Sequence, residues 1–359
     1  ANELGDPTGA AMAINLGDHI SGVFWAAFLL FSWTAASIVS GAVIERIRIS
    51  AFGVLAIAIG SVFWTIDASW GWHFDGWMVK VLGYHDAYAS GVIHAVCGGF
   101  ALGVLVVLGP RIGKFVNGQP VNIGPRNPWL VTLGLFLIYT GFWGFYAACN
   151  IPIFDAGADS GAGVTYFTAT NIYATPTTLS GVTMNFLMSL AGGLLAGYVV
   201  SKGDPFWTYS SGLAGIICAS AGNDLYHPLQ SMVIAMIGVA IMYKLHYWVE
   251  RRFKIDDAVG AVAVHGYAGV VGLLICGFVL WGYPSSTYEG YAMITPWGML
   301  AGAIIMFGVL GFLPGYVIAL ILNSAGQLRI PREVEIAGQD YLAMEAAKKD
   351  EDTVASAER

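Results

Sequence analysis

The chain has 359 residues, of which 57% are hydrophobic and only 11% are Asp, Glu, Lys or Arg, with a formal net charge of −7 and a mean hydropathy of +0.66. Soluble domains carry about 25% charged residues, so the composition excludes a nucleic-acid binder, a disordered scaffold and an ordinary cytosolic enzyme. Forty-seven glycines and 13% aromatics instead describe a polytopic helical membrane protein, in which glycine lets helices approach and Trp and Tyr crowd the interfaces.

A membrane helix needs about 20 mostly apolar residues. Nine segments qualify, at 21–43, 51–72, 88–109, 128–150, 178–200, 206–223, 227–249, 260–282 and 296–323. No Arg-flanked apolar stretch with a cleavage site leads the sequence, so no signal peptide is expected in it. Cytoplasmic loops carry the excess of Lys and Arg. With the N-terminus outside, all sixteen basic residues except Lys80 fall on the cytoplasmic side, which predicts nine spans, N-out and C-in. The connections at 154–161 and 283–294, acidic or neutral and rich in Gly, Ser and Tyr, then lie outside. From about Arg329 the composition turns mixed-charge, and residues 332–359 read REVEIAGQDYLAMEAAKKDEDTVASAER. The expected domains are therefore a transmembrane body at 1–328 and a cytoplasmic tail at 329–359, helical at its start and disordered beyond.

Ionisable groups within spans are costly and are candidates for function. His94 (SGVIHAVCGG) and His265 (AVAVHGYAGVVG) sit among small and apolar residues, too deep to reach water. Each could hydrogen-bond a backbone carbonyl at a helix contact, or the two could share one site; a metal pair lacks a Glu, Cys or His at i+3 or i+4. Asp86, eight residues before His94, suits a helix cap, or a charge that draws a cation. Trp70, Trp72 and Trp77, with Phe142, Trp143, Phe145 and Tyr146, read as an interfacial belt or as a ring cluster that holds a small cation. Asp256 and Asp257 read as caps of the eighth span, and Glu45-Arg46 as structural. Cys97, Cys149, Cys218 and Cys276 have no CxxC spacing and read as packing or wall residues.

Five motifs, SGAVIERIRIS, DAYASGVIHAVCGG, GFWGFYAACN, KIDDAVGAVAVHGYAG and REVEIAGQDYL, resemble the ammonium transporter family (Amt/Mep/Rh), its Amt branch in particular, in order from about residue 20 to 345. The resemblance implies a homotrimer in the inner or plasma membrane, each protomer with its own hydrophobic pore. His94 and His265 match the twin pore histidines and Phe31 and Phe145 the stacked phenylalanine gate. Trp72 and Asp86 match the outer recruitment site, where Cys149 stands for a serine. Ammonium is then stripped of its proton and passed as ammonia while the proton travels separately. The family's eleven helices form two inverted five-helix repeats plus a last helix; spans one to three and four to eight match the end of the first repeat and all of the second, leaving the first two helices without a counterpart. Phe142 replaces a tryptophan, Tyr146 an asparagine and Ala27 an aromatic residue. In the tail, Glu333, Gly338 as a bend and Asp340 match a segment that contacts neighbouring protomers and adjoins the docking face of a P-II-type nitrogen regulator. The alternative is an ammonium sensor with little conduction. Neither a cofactor, a metal nor an enzymatic activity is expected, because no nucleophile with its base and no cofactor loop is visible.

Overall fold

The computed structural model describes residues 19–73, 75–152, 169–170, 176–286 and 289–338. Its helices are α1 (His19–Val43), α2 (Ile49–Gly71), α3 (Ser90–Leu108), α4 (Pro128–Cys149) and α5 (Leu179–Ser201). They continue with α6 (Pro205–Ala219), α7 (Pro228–Phe253), α8 (Val262–Val279), α9 (Pro296–Ser324) and the short α10 (Arg332–Ala337). A small antiparallel hairpin, β1 (Phe115–Val116) with β2 (Gln119–Pro120), follows α3, and three two-residue strands, β3 (Ile151–Pro152), β4 (Ala169–Thr170) and β5 (Pro176–Thr177), pair between α4 and α5.

Among the described residues eight helices, all but α6 and α10, are long and apolar enough to cross a membrane. The expected span at 206–223 is shorter as a helix, although it carries the chain from Trp207, beside His246 at one end of the bundle, to Ala221, whose carbonyl accepts from the Ala87 amide at the other. Helix α6 has 15 residues, about 22 Å at 1.5 Å per residue, short of a hydrocarbon core of about 30 Å. The chain turns after Ala219, where the Leu225 and Tyr226 amides fold back onto the Gly222 carbonyl. A short helix is tolerated because residues 210–219 are all buried among α5, α7 and α8, so α6 need not satisfy a bilayer by its own length.

Helix starts follow local chemistry. Proline opens α4, α6, α7 and α9, where its missing N–H costs nothing and its φ is already helical. The residue before each accepts the free amides: Asn127 those of Trp129 and Leu130, Asp204 that of Trp207, Thr295 that of Gly298, while His227 and Gln230 form a reciprocal capping box.

The spanning window of α3 is 83% buried, against 22% for α4, so α3 is central and α4 peripheral. Helices α3 and α8 cross at glycine: a Cβ on Gly98 would lie 2.2 Å from Gly266 Cα. No side chain fits there, and the two backbones touch. Each helix also opens with a π-helical turn, Ser90–Ala95 in α3 and Val262–Tyr267 in α8. Such wide turns are rare and are often found at functional sites; here each carries a histidine.

One end of the bundle gathers basic residues and is called the basic face below. Arg46 is wholly buried there, donating to the carbonyls of Gly109 and Asp256. The Asp256 carboxylate accepts a forked pair from Arg111 Nε at 2.8 Å and Nη2 at 3.0 Å. Asp256 therefore ties three loops together instead of capping α8, a correction; Asp257 is the cap, accepting from the Ala263 amide at 3.1 Å. After α9 the chain pairs with the turn after α1 through Arg48 N to Leu328 O (3.0 Å) and Ile330 N to Arg46 O (3.1 Å).

Candidate functional site

Helices α3 and α8 run in opposite directions through the centre, and the glycine crossing brings their π turns side by side. The result is a histidine pair: His94 Nδ1 and His265 Nδ1 are 3.0 Å apart, with ring centroids at 5.1 Å and planes inclined by 26°. One nitrogen donates and the other accepts, so of the readings left open by the sequence the shared site is the one the structure adopts. His94 Nε2 is buried without a hydrogen bond among the described residues, an orphaned polar atom on an apolar wall of a kind that needs explaining. Among the described residues no cluster of three His, Cys, Asp or Glu is placed to hold a metal.

A cavity of about 1470 Å³ runs from this pair to the loops of the basic face. Toward the opposite face it ends in rings. Phe31 on α1 meets Phe145 on α4 at 4.4 Å with an 83° angle. The two rings thus close edge to face and not stacked as expected, the arrangement the ring quadrupole favours; Phe145 stacks on Phe142 at 5.2 Å and on Trp72 at 6.1 Å. Where a larger aromatic was missing, Ala27 lines the cavity beside Phe31.

Beyond the rings the predicted recruitment residues lie close together but sealed. Trp72 is fully buried and its Nε1 donates to the Asp86 carbonyl at 2.6 Å. Asp86 is buried too, its Oδ2 accepting from the amides of Gly91 (2.7 Å) and Val92 (2.9 Å) and from the Tyr84 hydroxyl (3.0 Å). Burial lifts this carboxyl to about 6 while those donors hold it down. The carboxylate is thus a cap that fixes the start of α3. Cys149 is a buried free thiol at the end of α4. Tyr146, in the place of an expected asparagine, stacks on Tyr88 at 4.0 Å and its hydroxyl bonds Ser220 (2.6 Å) and Asn223 (2.9 Å).

Several polar groups escaped the sequence reading. Asp67 is wholly buried in α2 with neither carboxylate oxygen hydrogen-bonded among the described residues; its lone charge inside 51–72 was the available signal. His85 and Asp224 form a fully buried pair at 3.0 Å, and His85 Nδ1 faces the Ser285 carbonyl at 3.1 Å. Burial opposes the charge, yet acceptors at both ring nitrogens hold the imidazolium above its ordinary range. His246 on α7 lies 3.8 Å from Asp257 on the cavity wall. In the tail, Glu333 is exposed while Glu335 does the tethering, accepting from Arg329 and from the Ile112 amide at 2.9 Å. Gly338 has φ +87°, a backbone conformation that suits the predicted bend. Asp340 lies outside the described residues, as do residues 154–161 and the tail beyond 338.

With this geometry in view, the comparisons decide the family: the model of the Ammonium Transporter Family matches residues 8–348. The chain belongs to the ammonium transporter family. It is 30% identical over 334 residues to ammonium transporter Amt2 of Methanocaldococcus jannaschii, covering 92% of this chain and 71% of that protein. Ammonium transporter Amt2 of Archaeoglobus fulgidus is also 30% identical, over 339 residues, covering 88% of this chain and 68% of its own length. Among solved structures, one named Sensor Amt Protein superposes with a TM-score of 0.72 at 25% identity, over 86% of this chain and 73% of that one. Candida albicans Mep2, at 18% identity and TM-score 0.66 over 84% of this chain and 65% of that one, shares the fold. This member of the family is accordingly a multi-pass membrane protein of the Amt/Mep/Rh fold, with archaeal Amt proteins among its relatives.

Proposed function

We propose that the chain conducts ammonium across the cell membrane, with the N-terminus outside and the basic face in the cytoplasm. The observation that carries this is the His94–His265 contact at 3.0 Å on the wall of a cavity closed at its far end by Phe31 and Phe145. A bare ammonium ion is too costly in such an apolar passage. The cation is drawn to the outer side by ring faces and the field of Asp86, loses its proton at the rings, and crosses as ammonia beside the histidines, while the proton moves over the coupled pair. Potassium has no proton to give up and is rejected. Trp72 and Cys149 shape the outer approach. The working unit is a homotrimer in which spans one to three and four to eight are inverted repeats. The tail from 329, through Glu333, Gly338 and Asp340, contacts neighbouring protomers and adjoins the docking face of a P-II-type regulator.

In proteoliposomes an ammonium pulse gives a transient current that His94→Ala reduces at least about tenfold, the scale of losing one proton-transfer group. A silent wild-type protein refutes conduction. A second reading, an ammonium sensor, is favoured by the likeness to the structure named Sensor Amt Protein; saturable ammonium binding without any current selects it.

A further inference from the structure

We propose that His246 is a third histidine of the conduction route, the proton station at the basic end of the cavity. It takes the proton that leaves the His94–His265 pair and returns it to ammonia. This rests on the conduction reading above and adds to it the residue that completes the proton's path.

His246 is buried and lines the same cavity as His94 and His265. Its Nδ1 stands 3.8 Å from Asp257 Oδ2, beyond hydrogen-bond reach but within ion-pair reach once the ring is protonated. Asp257 Oδ1 is buried and without a hydrogen bond among the described residues, whereas Oδ2 is held by the Ala263 amide two residues before His265. The carboxylate therefore joins the two histidines, capping the π turn of one and facing the ring of the other. From α6, Trp207 packs edge-on against the imidazole at 4.8 Å, which fixes its orientation.

The other charges around His246 are already matched. Lys114, reaching in from the loop after α3, binds Glu250 at 2.6 Å and the Val121 carbonyl at 3.1 Å. Asp256 is taken by Arg111 and approached by Arg46 at 3.9 Å. From its own helix the ring meets Tyr247, while Tyr243 packs on Trp207. Asp257 is thus the carboxylate left to stabilise an imidazolium at position 246, and the cavity supplies the room for ammonia beside it.

The step balances without any other reactant. An N–H bond of the His265 imidazolium breaks and, relayed through solvent in the cavity, an N–H bond forms on His246. The lone pair of ammonia then takes that proton, leaving His246 neutral and ammonium free to depart at the basic face.

The test measures ammonium-evoked current in proteoliposomes over a pH series for wild type, His94→Ala, His246→Gln and His246→Glu. The proposal expects His246→Gln to lower the current at least about tenfold and to flatten its pH dependence. It expects His246→Glu to restore current with its midpoint moved to lower pH. A His246→Gln protein with wild-type current and pH profile overturns it, as does a lowered current whose pH profile matches wild type in both variants, since that is a packing defect. If the Gln variant does not fold, the Glu midpoint decides: moved supports, unmoved overturns. A silent wild type overturns the conduction reading and this step with it, whereas a conducting, His94-dependent protein indifferent to His246 overturns this step alone.

Discussion

In α3 an aspartate, Asp86, stands ahead of the helix and a histidine follows eight residues later inside a π-helical turn; α8 repeats the arrangement with Asp257 and His265. Burial raises both carboxyls to about 6 against backbone amides that hold them down. Their surroundings differ. Asp86 is sealed under Trp72 and Tyr84, while Asp257 lines an open cavity and faces a further histidine. The same local device is therefore dry at one end of the molecule and accessible at the other. What a capped aspartate can do is decided by the elements packed over it, not by the eight-residue spacing.

The comparison breaks most severely at the crossing. Gly98→Val places a side chain against Gly266 backbone that cannot move aside. We expect a loss of about 3 kcal/mol or more, read as a large fall in the unfolding temperature in detergent together with loss of current. Unchanged unfolding would mean that the helices do not touch there.

At the basic end, Asp256 anchors the loop that leads into α8. Burial works against its charge, but Arg111 and Arg46 hold the carboxyl below the ordinary carboxylate range. A depressed folded value gives stability that is complete above the unfolded value of about 3.9 and is lost as pH falls through the lower, folded one. Acid unfolding below about pH 4 should therefore lose this contribution, and Asp256→Asn should cost about 3 kcal/mol at pH 7, because it leaves two buried guanidinium groups under-compensated. A variant with wild-type stability at pH 7 contradicts this role.

Asp67 offers the smallest and opposite effect. It sits on α2, which packs against the start of α3, and its carboxyl meets no partner among the described residues. Asp67→Leu should stabilise the fold by about 1–2 kcal/mol, since burying an unpaired polar group costs that much. A destabilised Asp67→Leu protein would show that the carboxyl is engaged after all.

Much of this is legible in the sequence for a physical reason. Hydropathy alone places eight long helices, because lipid demands length and apolarity of each. It overstates the length of α6, whose residues 210–219 are enclosed by protein and released from that demand. His94 and His265 are conspicuous because nothing polar surrounds them in the chain, and the resemblance supplied their pairing. Their contact distance depends on Gly98 and Gly266, 168 residues apart, as read from their numbers. His246 is hidden by a different rule: it lies just before a run of charged residues, ERRFKIDD, in which Asp257 is legible only as a helix cap. The role of Glu335 within the tail segment leaves no mark in sequence, because only the packed chain shows which carboxylate turns toward Arg329. The edge-on Phe31–Phe145 contact is a matter of rotamers and leaves no trace in sequence.

The central claim is that His94 and His265 act as one proton-handling unit. The measurement that tests it most directly is a double-mutant cycle on the ammonium-evoked current, with His94→Ala, His265→Ala and both together, alongside a potassium pulse on the wild type. The account predicts that each single change removes most of the current, that the double loses little more than either single, and that potassium evokes none. Independent, multiplicative losses, or a potassium current equal to that of ammonium, would contradict it.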